Sequence, residues 1–140
     1  MRYEQITLID APLELIWRLT TDIENWPAFL PTVQRVERLD TGELRAGSAA
    51  RVKQPAQSSA VWTVTHLEPA REFTWETSRP GLRLTGRHLL ETAGAGTRMT
   101  LVLETTGRAA GVVSALLGGM MRSSLRREAE GFARHATAVR

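Results

Sequence analysis

One histidine of this chain stands where its side chain could move a proton. His88 falls between Gly86 and Leu90 in a run of alternating character, which predicts that all three lie on the inner face of a strand. A buried neutral imidazole needs a partner for each ring nitrogen, and it exchanges a proton near neutral pH. His88 is therefore either the candidate catalytic acid or base, or a histidine held by a neighbouring strand or a cavity water.

Two other polar side chains could act on a bound molecule. Glu128 lies close to the apolar stripe of a C-terminal helix. Because a lone buried charge is costly, its carboxylate either faces an internal cavity or pairs with an arginine. Gln54 shares a predicted strand face with Ala50 and Val52, where it either orients a ligand carbonyl or satisfies backbone groups before Pro55.

Aromatic side chains are predicted on the same inner surface. Trp62 and Trp75 belong to inner strand faces, with Phe73 beside Trp75, and Trp26 follows a short helical turn near the expected rim of a cavity. Aromatic rings offer large contact areas with a defined geometry. These rings either stack on a flat ligand or fill the core.

Other chemistries lack the spacing that they require. His66, His88 and His135 fall on different elements and the chain has no cysteine, so neither a metal site nor a cofactor is predicted. Gly118-Gly119 lies inside an apolar helix and does not follow a strand, which disfavours a phosphate-binding loop. The serines of that helix have no nucleophile-elbow context, so a hydrolase is not indicated.

Composition sets the protein class. A chain of 140 residues, 42% of them apolar, predicts one globular domain over residues 1–140. The net charge of +3 comes from scattered arginines, with one cluster at Arg122, Arg126 and Arg127, whereas nucleic-acid binders concentrate charge in a patch or stripe. Nucleic acid is not predicted as a partner. The early polar residues and the lack of a long apolar run predict a cytoplasmic protein without integral membrane association.

Hydrophobic periodicity gives the order of the elements that must position these residues. A first strand over 3–10 precedes a helix at about 13–20, and prolines confine a second helix to a turn or two. Six strands follow, at about 33–39, 49–54, 59–67, 72–77, 83–90 and 98–104. Short turns join them, which predicts an α+β fold with a curved, seven-stranded antiparallel sheet.

After Gly107 the apolar period becomes that of a helix of about 25 residues, roughly 37 Å long. Such a helix can cross the whole sheet. Gly118-Gly119 weakens it by about 2 kcal/mol relative to two alanines, so these glycines either permit close packing or mark a bend.

The order of elements and a set of short motifs together resemble the START-like (SRPBCC) superfamily and its helix-grip fold, and the polyketide cyclase/dehydrase group within it. The motifs are Ile9-Asp10-Ala11-Pro12 through Trp17, Asp22 with Trp26-Pro27, Arg51-Val52-Lys53-Gln54-Pro55, Trp62-Thr63-Val64, Phe73-Thr74-Trp75, His88, Gly96-Thr97-Arg98 and the terminal helix with Glu128. The resemblance spans essentially the whole chain. It implies a pocket for apolar or aromatic molecules between the sheet and the long helix, and it leaves the chemistry open.

The expected ligand-binding residues come from the inner strand faces, the helical turn and the last helix. They are Trp26, Phe29, Gln54, Trp62, Val64, Phe73, Trp75, Leu84, Gly86, His88, Met99, Leu101, Leu117, Met120, Met121, Leu125 and Glu128.

Three functions fit this reading. The first is a protein, monomeric or homodimeric, that binds a small hydrophobic molecule of aromatic, polyketide-like or lipid-like character. The second is a polyketide aromatase/cyclase-dehydratase, with His88 as base, Gln54 and an inward arginine polarising carbonyls, and the tryptophans shaping the substrate. The third is an interaction module in which the arginine cluster meets an acidic partner or a membrane surface.

Overall fold

Residues 1–139, which the computed structural model describes, form seven strands, two α-helices and one 3-10 helix. The elements are β1 (Arg2–Ile9), α1 (Leu13–Thr21), the 3-10 helix (Ile23–Ala28), β2 (Arg35–Arg38), β3 (Ala49–Lys53), β4 (Ala60–Glu68), β5 (Glu72–Arg79), β6 (Leu82–Ala93), β7 (Gly96–Thr106) and α2 (Ala110–Val139). The predicted helix-grip architecture and the order of its elements are confirmed.

The sheet is antiparallel throughout, with strand order β1-β7-β6-β5-β4-β3-β2. Only β1 pairs out of sequence, because it adds to the free side of β7. The two edge strands, β1 and β2, are not paired with each other, so the sheet is curved but open.

The register aligns the inner residues in rows across the strands. Trp75, Gly86 and Leu103 are direct partners in one row, and Phe73 and His88 are partners in the next. The period-two assignment of these inner faces is therefore correct, because the ladders of β5, β6 and β7 run without a shift.

Strand β4 departs from simple alternation. Its register with β5 shifts between Val64 and His66, which is a β-bulge. Alternation alone puts His66 on the face of Trp62 and Val64, but the bulge turns its side chain outward to contact the carboxylates of Glu68 and Glu72 at 3.7 and 3.9 Å.

Helix α2 is longer than expected, with 30 residues and a length of about 45 Å. It is continuous through Gly118, where an added Cβ would lie 3.1 Å from the Tyr3 hydroxyl oxygen. Tyr3 also contacts Ser114, and the Arg122 guanidinium lies 5.1 Å from the Tyr3 ring centroid. Of the two sequence-based alternatives, close packing therefore applies to Gly118.

A second close approach of α2 lies at Gly131. A Cβ there would meet the backbone oxygen of Phe29 at 2.8 Å and the Leu30 side chain at 2.7 Å. Gly119, by contrast, has open space where its Cβ would point. The spacing between α2 and the loop after the 3-10 helix therefore depends on Gly131 having no side chain.

We expect Gly131→Ala to lower the free energy of unfolding by about 1–3 kcal/mol, because a backbone atom must move to admit the methyl group. The matched variant Gly119→Ala should raise it by about 1 kcal/mol, since alanine favours a helix over glycine. Urea unfolding followed by circular dichroism measures both. Equal stabilities of the two variants would contradict this packing.

Candidate functional site

Trp26 lies at the centre of an aromatic cluster and not at a rim. Its ring centroid is 5.4 Å from that of Trp75, 5.5 Å from that of His88 and 5.9 Å from that of Phe132. Its indole N–H donates a hydrogen bond to the Leu19 carbonyl at 3.0 Å. The side chain is buried, so the expectation that it borders the entrance is wrong: its polar atom is satisfied by α1 and its ring by the core.

Gly86 leaves room for two indoles on the inner sheet surface. Trp75 is its direct partner on β5, and the Trp75 ring comes within 3.4 Å of where a Gly86 Cβ would stand. Trp62 reaches to 3.7 Å of the same point, and the two indoles are 5.5 Å apart. The absent side chain on β6 therefore lets both rings lie across the sheet.

His88 is buried and is held by the backbone. Its Nδ1 lies 3.0 Å from the carbonyl oxygen of Phe73, its direct partner on β5. The imidazole also stacks on the Phe73 ring at 5.0 Å between centroids. Because a carbonyl oxygen only accepts hydrogen bonds, Nδ1 must carry a proton.

Glu128 contacts the other nitrogen of the same ring. Its Oε1 lies 3.4 Å from His88 Nε2. Since Nδ1 is already protonated, a favourable contact requires a further proton on Nε2 or on the carboxyl group. The partner of Glu128 is therefore this histidine and not the expected arginine.

The pair is not equally accessible from outside. The His88 side chain is 5% exposed and the Glu128 side chain 17% exposed. Glu128 is therefore the more accessible member of the pair.

The inner surface is closed at one end and open at the other. Near His88 and beyond it, Leu90, Met99, Leu101 and Phe132 are almost completely buried. Toward the first half of α2, several inner positions lose that cover, whereas Tyr3, Trp75 and Thr105 remain buried. The open end is formed by half-buried Leu84, Gly86, Leu103 and Met121 and by exposed Leu117.

Thr105 belongs to the open end and was not selected from the sequence. It pairs with Leu84, one row beyond Gly86 and Leu103. Its hydroxyl is buried and has no hydrogen-bond partner among residues 1–139. A buried hydroxyl without a partner is costly, so a polar ligand group or a water is favoured there. The sequence could have indicated Thr105, because the alternation of inner and outer residues in β7 places it on the same face as Leu103.

The other selected residues divide into three groups. Val64, Met99, Leu101 and Leu125 belong to the closed core. Met120 is exposed on the outward face of α2, because it lies about 200° around the helix from buried Gly118. The Gln54 amide donates to the Thr32 carbonyl at 3.4 Å, which is the backbone role among its two alternatives.

Phe29 lies at the edge of the core, with its ring centroid 5.4 Å from that of Phe132. Its ring stacks on His135 at 4.4 Å, beside a surface hollow of about 440 Å³ between the 3-10 helix and the end of α2. A second surface hollow, of about 530 Å³, is lined by Leu13, the β4–β5 turn and part of β6. No tryptophan borders either hollow.

Residues 1–139 contain neither a metal-binding cluster nor a membrane-spanning helix. No group of three or more His, Cys, Asp or Glu side chains in that range is arranged to hold a metal ion. None of the helices in the same range combines the length and apolar character needed to cross a bilayer.

The family follows from a match over nearly the whole chain. The model of the family described as "Polyketide cyclase / dehydrase and lipid transport" matches residues 2–137. The chain belongs to this family.

Similar proteins include a relative and solved structures. A Streptomyces halstedii protein named "Putative polyketide cyclase" is 33% identical over 63 residues, which are 43% of this chain and 54% of that protein. The Zhui aromatase/cyclase from Streptomyces sp. R1128 superposes with a TM-score of 0.79 at 20% identity, over 98% of this chain and 93% of that one. A START superfamily protein from Mycobacterium smegmatis gives a TM-score of 0.74 at 16% identity, over 96% and 97%. These structural likenesses establish a shared fold.

The contact between His88 and Glu128 should appear as an energetic coupling. Glu128→Leu leaves a buried imidazole nitrogen without its partner and should lower the free energy of unfolding by about 1 kcal/mol. In a His88→Phe background the same change should cost much less, because no orphaned nitrogen remains. Urea unfolding of the four proteins gives the coupling free energy, and strictly additive effects would contradict the pairing.

Proposed function

We propose that this protein binds a small hydrophobic molecule, of aromatic, polyketide-like or lipid-like character, between the sheet and the first half of α2. The observation that carries the proposal is the contrast in burial along the inner surface, from the closed rows beyond His88 to the half-buried Leu84, Gly86 and Leu103. Apolar positions that the protein's own core leaves uncovered are suited to contact an apolar ligand.

The proposed ligand lies against Trp62 and Trp75. Their indoles offer flat apolar area, and Gly86 adds no side chain that would separate a ring from the sheet. The unpartnered hydroxyl of Thr105 and the carboxyl group of Glu128 supply isolated polar contacts. A mainly apolar wall with few polar groups is the usual composition of a small-molecule site.

Family membership supports this proposal at the level of the ligand class. The family description joins polyketide cyclisation and lipid transport, and both require a cavity that accepts a long, largely apolar molecule.

We infer that the cytoplasm is where the protein meets its ligand.

Binding can be tested with the neutral fluorescent probe N-phenyl-1-naphthylamine. We expect saturable binding to the wild-type protein. We expect a loss of at least tenfold in affinity in Leu84→Trp, because the larger side chain occupies the open end. Fluorescence titration measures the affinity, and thermal melting verifies that the variant folds.

The matched control is Val61→Trp, which adds an indole on the exposed outer side of the sheet. It should bind the probe as the wild type does. Failure of the wild type to bind, or equal affinities of the two tryptophan variants, would overturn the proposed location.

A polyketide cyclase/dehydratase is the second candidate, and the contact between His88 and Glu128 favours it. In such a reaction a base removes a proton from a carbon between two carbonyls, and the carbanion attacks another carbonyl to close a ring. The resulting alkoxide takes up a proton, and water is then eliminated. We assign the proton transfers to Glu128, which is the more exposed of the two, and we assign to His88 the holding and return of the proton.

Under this second proposal, Glu128→Gln should slow ring formation from a poly-β-ketone substrate by about a hundredfold or more, because the carboxyl group is lost. Binding of the apolar probe should fall far less than ring formation does, which separates chemistry from binding. Glu130→Gln removes an exposed carboxylate from the same helix and should retain full activity. Chromatography of the product measures the rate of ring formation. Equal rates for the two variants would show that Glu128 takes no part in the reaction.

A further inference from the structure

The first half of α2 exposes an unusual amount of apolar side chain. Leu116 is 77% exposed, Val112 63% and Met120 61%. We call these three residues the apolar face of α2. Single exposed aliphatic residues are common on proteins, but three at four-residue spacing on one side of a helix form a contiguous patch.

This patch points away from the body of the protein. At about 100° per residue, Leu116 and Met120 lie on the opposite side of the helix from Gly118, Leu125 and Ala129, which are buried. The second half of α2 carries Arg127 and Arg134 where the first half carries Leu116. The apolar face is thus confined to one end of a helix whose outer side is otherwise charged.

The charge around this patch has one sign. Residues 105–127 contain four arginines and no aspartate or glutamate. The four are Arg108, Arg122, Arg126 and Arg127, and all are exposed. The acids that follow and precede this segment are paired: Glu104 contacts Arg87 at 3.7 Å, Glu128 contacts His88 at 3.4 Å, and Glu130 contacts Arg126 at 4.0 Å. The apolar face is therefore bordered by positive charge at both of its ends.

We propose that the apolar face of α2 docks on a membrane surface that carries anionic lipids. Exposed leucine, valine and methionine side chains would enter the boundary between headgroups and acyl chains, and the arginines would contact phosphate groups. This is the division of apolar and cationic residues that interfacial helices use. The interaction is peripheral, and it does not depend on the ligand proposed above.

The arginines around the apolar face of α2 argue against a second copy of this chain as the partner that covers it. In a two-fold dimer the same patch meets itself, so the arginines that border it in both copies would come together with only Glu130 to offset their charge. The exposed side chains also project from a single helix, with neither hollow beside them. A projecting apolar ridge fits a deformable lipid boundary more readily than a matching protein groove.

Vesicle sedimentation tests the proposal. We expect the wild-type protein to bind sucrose-loaded vesicles of phosphatidylcholine and phosphatidylglycerol in a 3:1 ratio. Binding to pure phosphatidylcholine should be at least tenfold weaker, because the arginines then lack anionic partners. Raising the salt concentration from 50 to 300 mM should weaken the binding to the mixed vesicles, since exposed charges are screened.

Two surface leucines provide matched variants. Leu116→Ser should reduce vesicle binding about tenfold, because one leucine no longer leaves water. Leu8→Ser removes a similarly exposed leucine, 68% exposed on the outer side of β1, and should change nothing. Arg126→Gln/Arg127→Gln should remove most of the preference for phosphatidylglycerol. Probe binding to each variant is measured in parallel, so that membrane docking and ligand binding can fail independently.

The outcomes separate the possible occupants. No binding of the wild type to mixed vesicles, or equal loss in Leu116→Ser and Leu8→Ser, would overturn membrane docking. A dimer in sedimentation velocity that dissociates in Leu116→Ser would assign the face to a second copy instead. A tryptophan placed by Leu116→Trp should shift its emission to shorter wavelength on vesicles and be quenched by brominated lipid; an unchanged spectrum would also overturn the proposal.

Discussion

The contacts of Trp26 hold the three layers of this protein together. The residue comes from the 3-10 helix, and its ring touches Phe73 and Trp75 of the sheet and Phe132 of α2. Its only polar atom is satisfied by the end of α1. One side chain therefore fixes the 3-10 helix, the sheet and the second half of α2 relative to one another. The open end of the inner surface lies beyond this contact, where the first half of α2 meets β1 through Tyr3, which contacts Ser114 and approaches Gly118.

The inner surface has an open end and a closed core, and this difference explains why binding and catalysis are both compatible with this chain. The open end supplies apolar area, whereas the paired His88 and Glu128 lie at its inner limit, where the core begins to close. A buried imidazole fixed by a backbone carbonyl has a defined orientation, and an adjacent carboxyl group gives it a route for proton exchange. A molecule held by the indoles can thus be bound without being changed, or be changed if a reactive carbon reaches the carboxyl group.

Much of the architecture could be predicted from the sequence, because alternation in β5, β6 and β7 is regular and α2 shows a clear change of period. The inner positions of Trp75, Gly86 and His88 follow from that pattern alone. Three errors have local physical causes. The bulge in β4 reverses His66, the helical angle turns Met120 outward, and the hydrogen bond to Leu19 draws Trp26 into the core. The contact between His88 and Glu128 joins residues 40 positions apart, so no local pattern could reveal it.

The separation of β1 from β2 has a mechanical consequence. A closed barrel can widen only by breaking backbone hydrogen bonds, but this sheet ends in two strands that do not pair with each other. The 3-10 helix packs against β2, and α2 packs against β1 and β7. Splaying the two sheet edges would therefore enlarge the enclosed volume through side-chain repacking alone. Such a sheet can bind ligands of different sizes without losing backbone hydrogen bonds. This property suits a fold that supports many different chemistries.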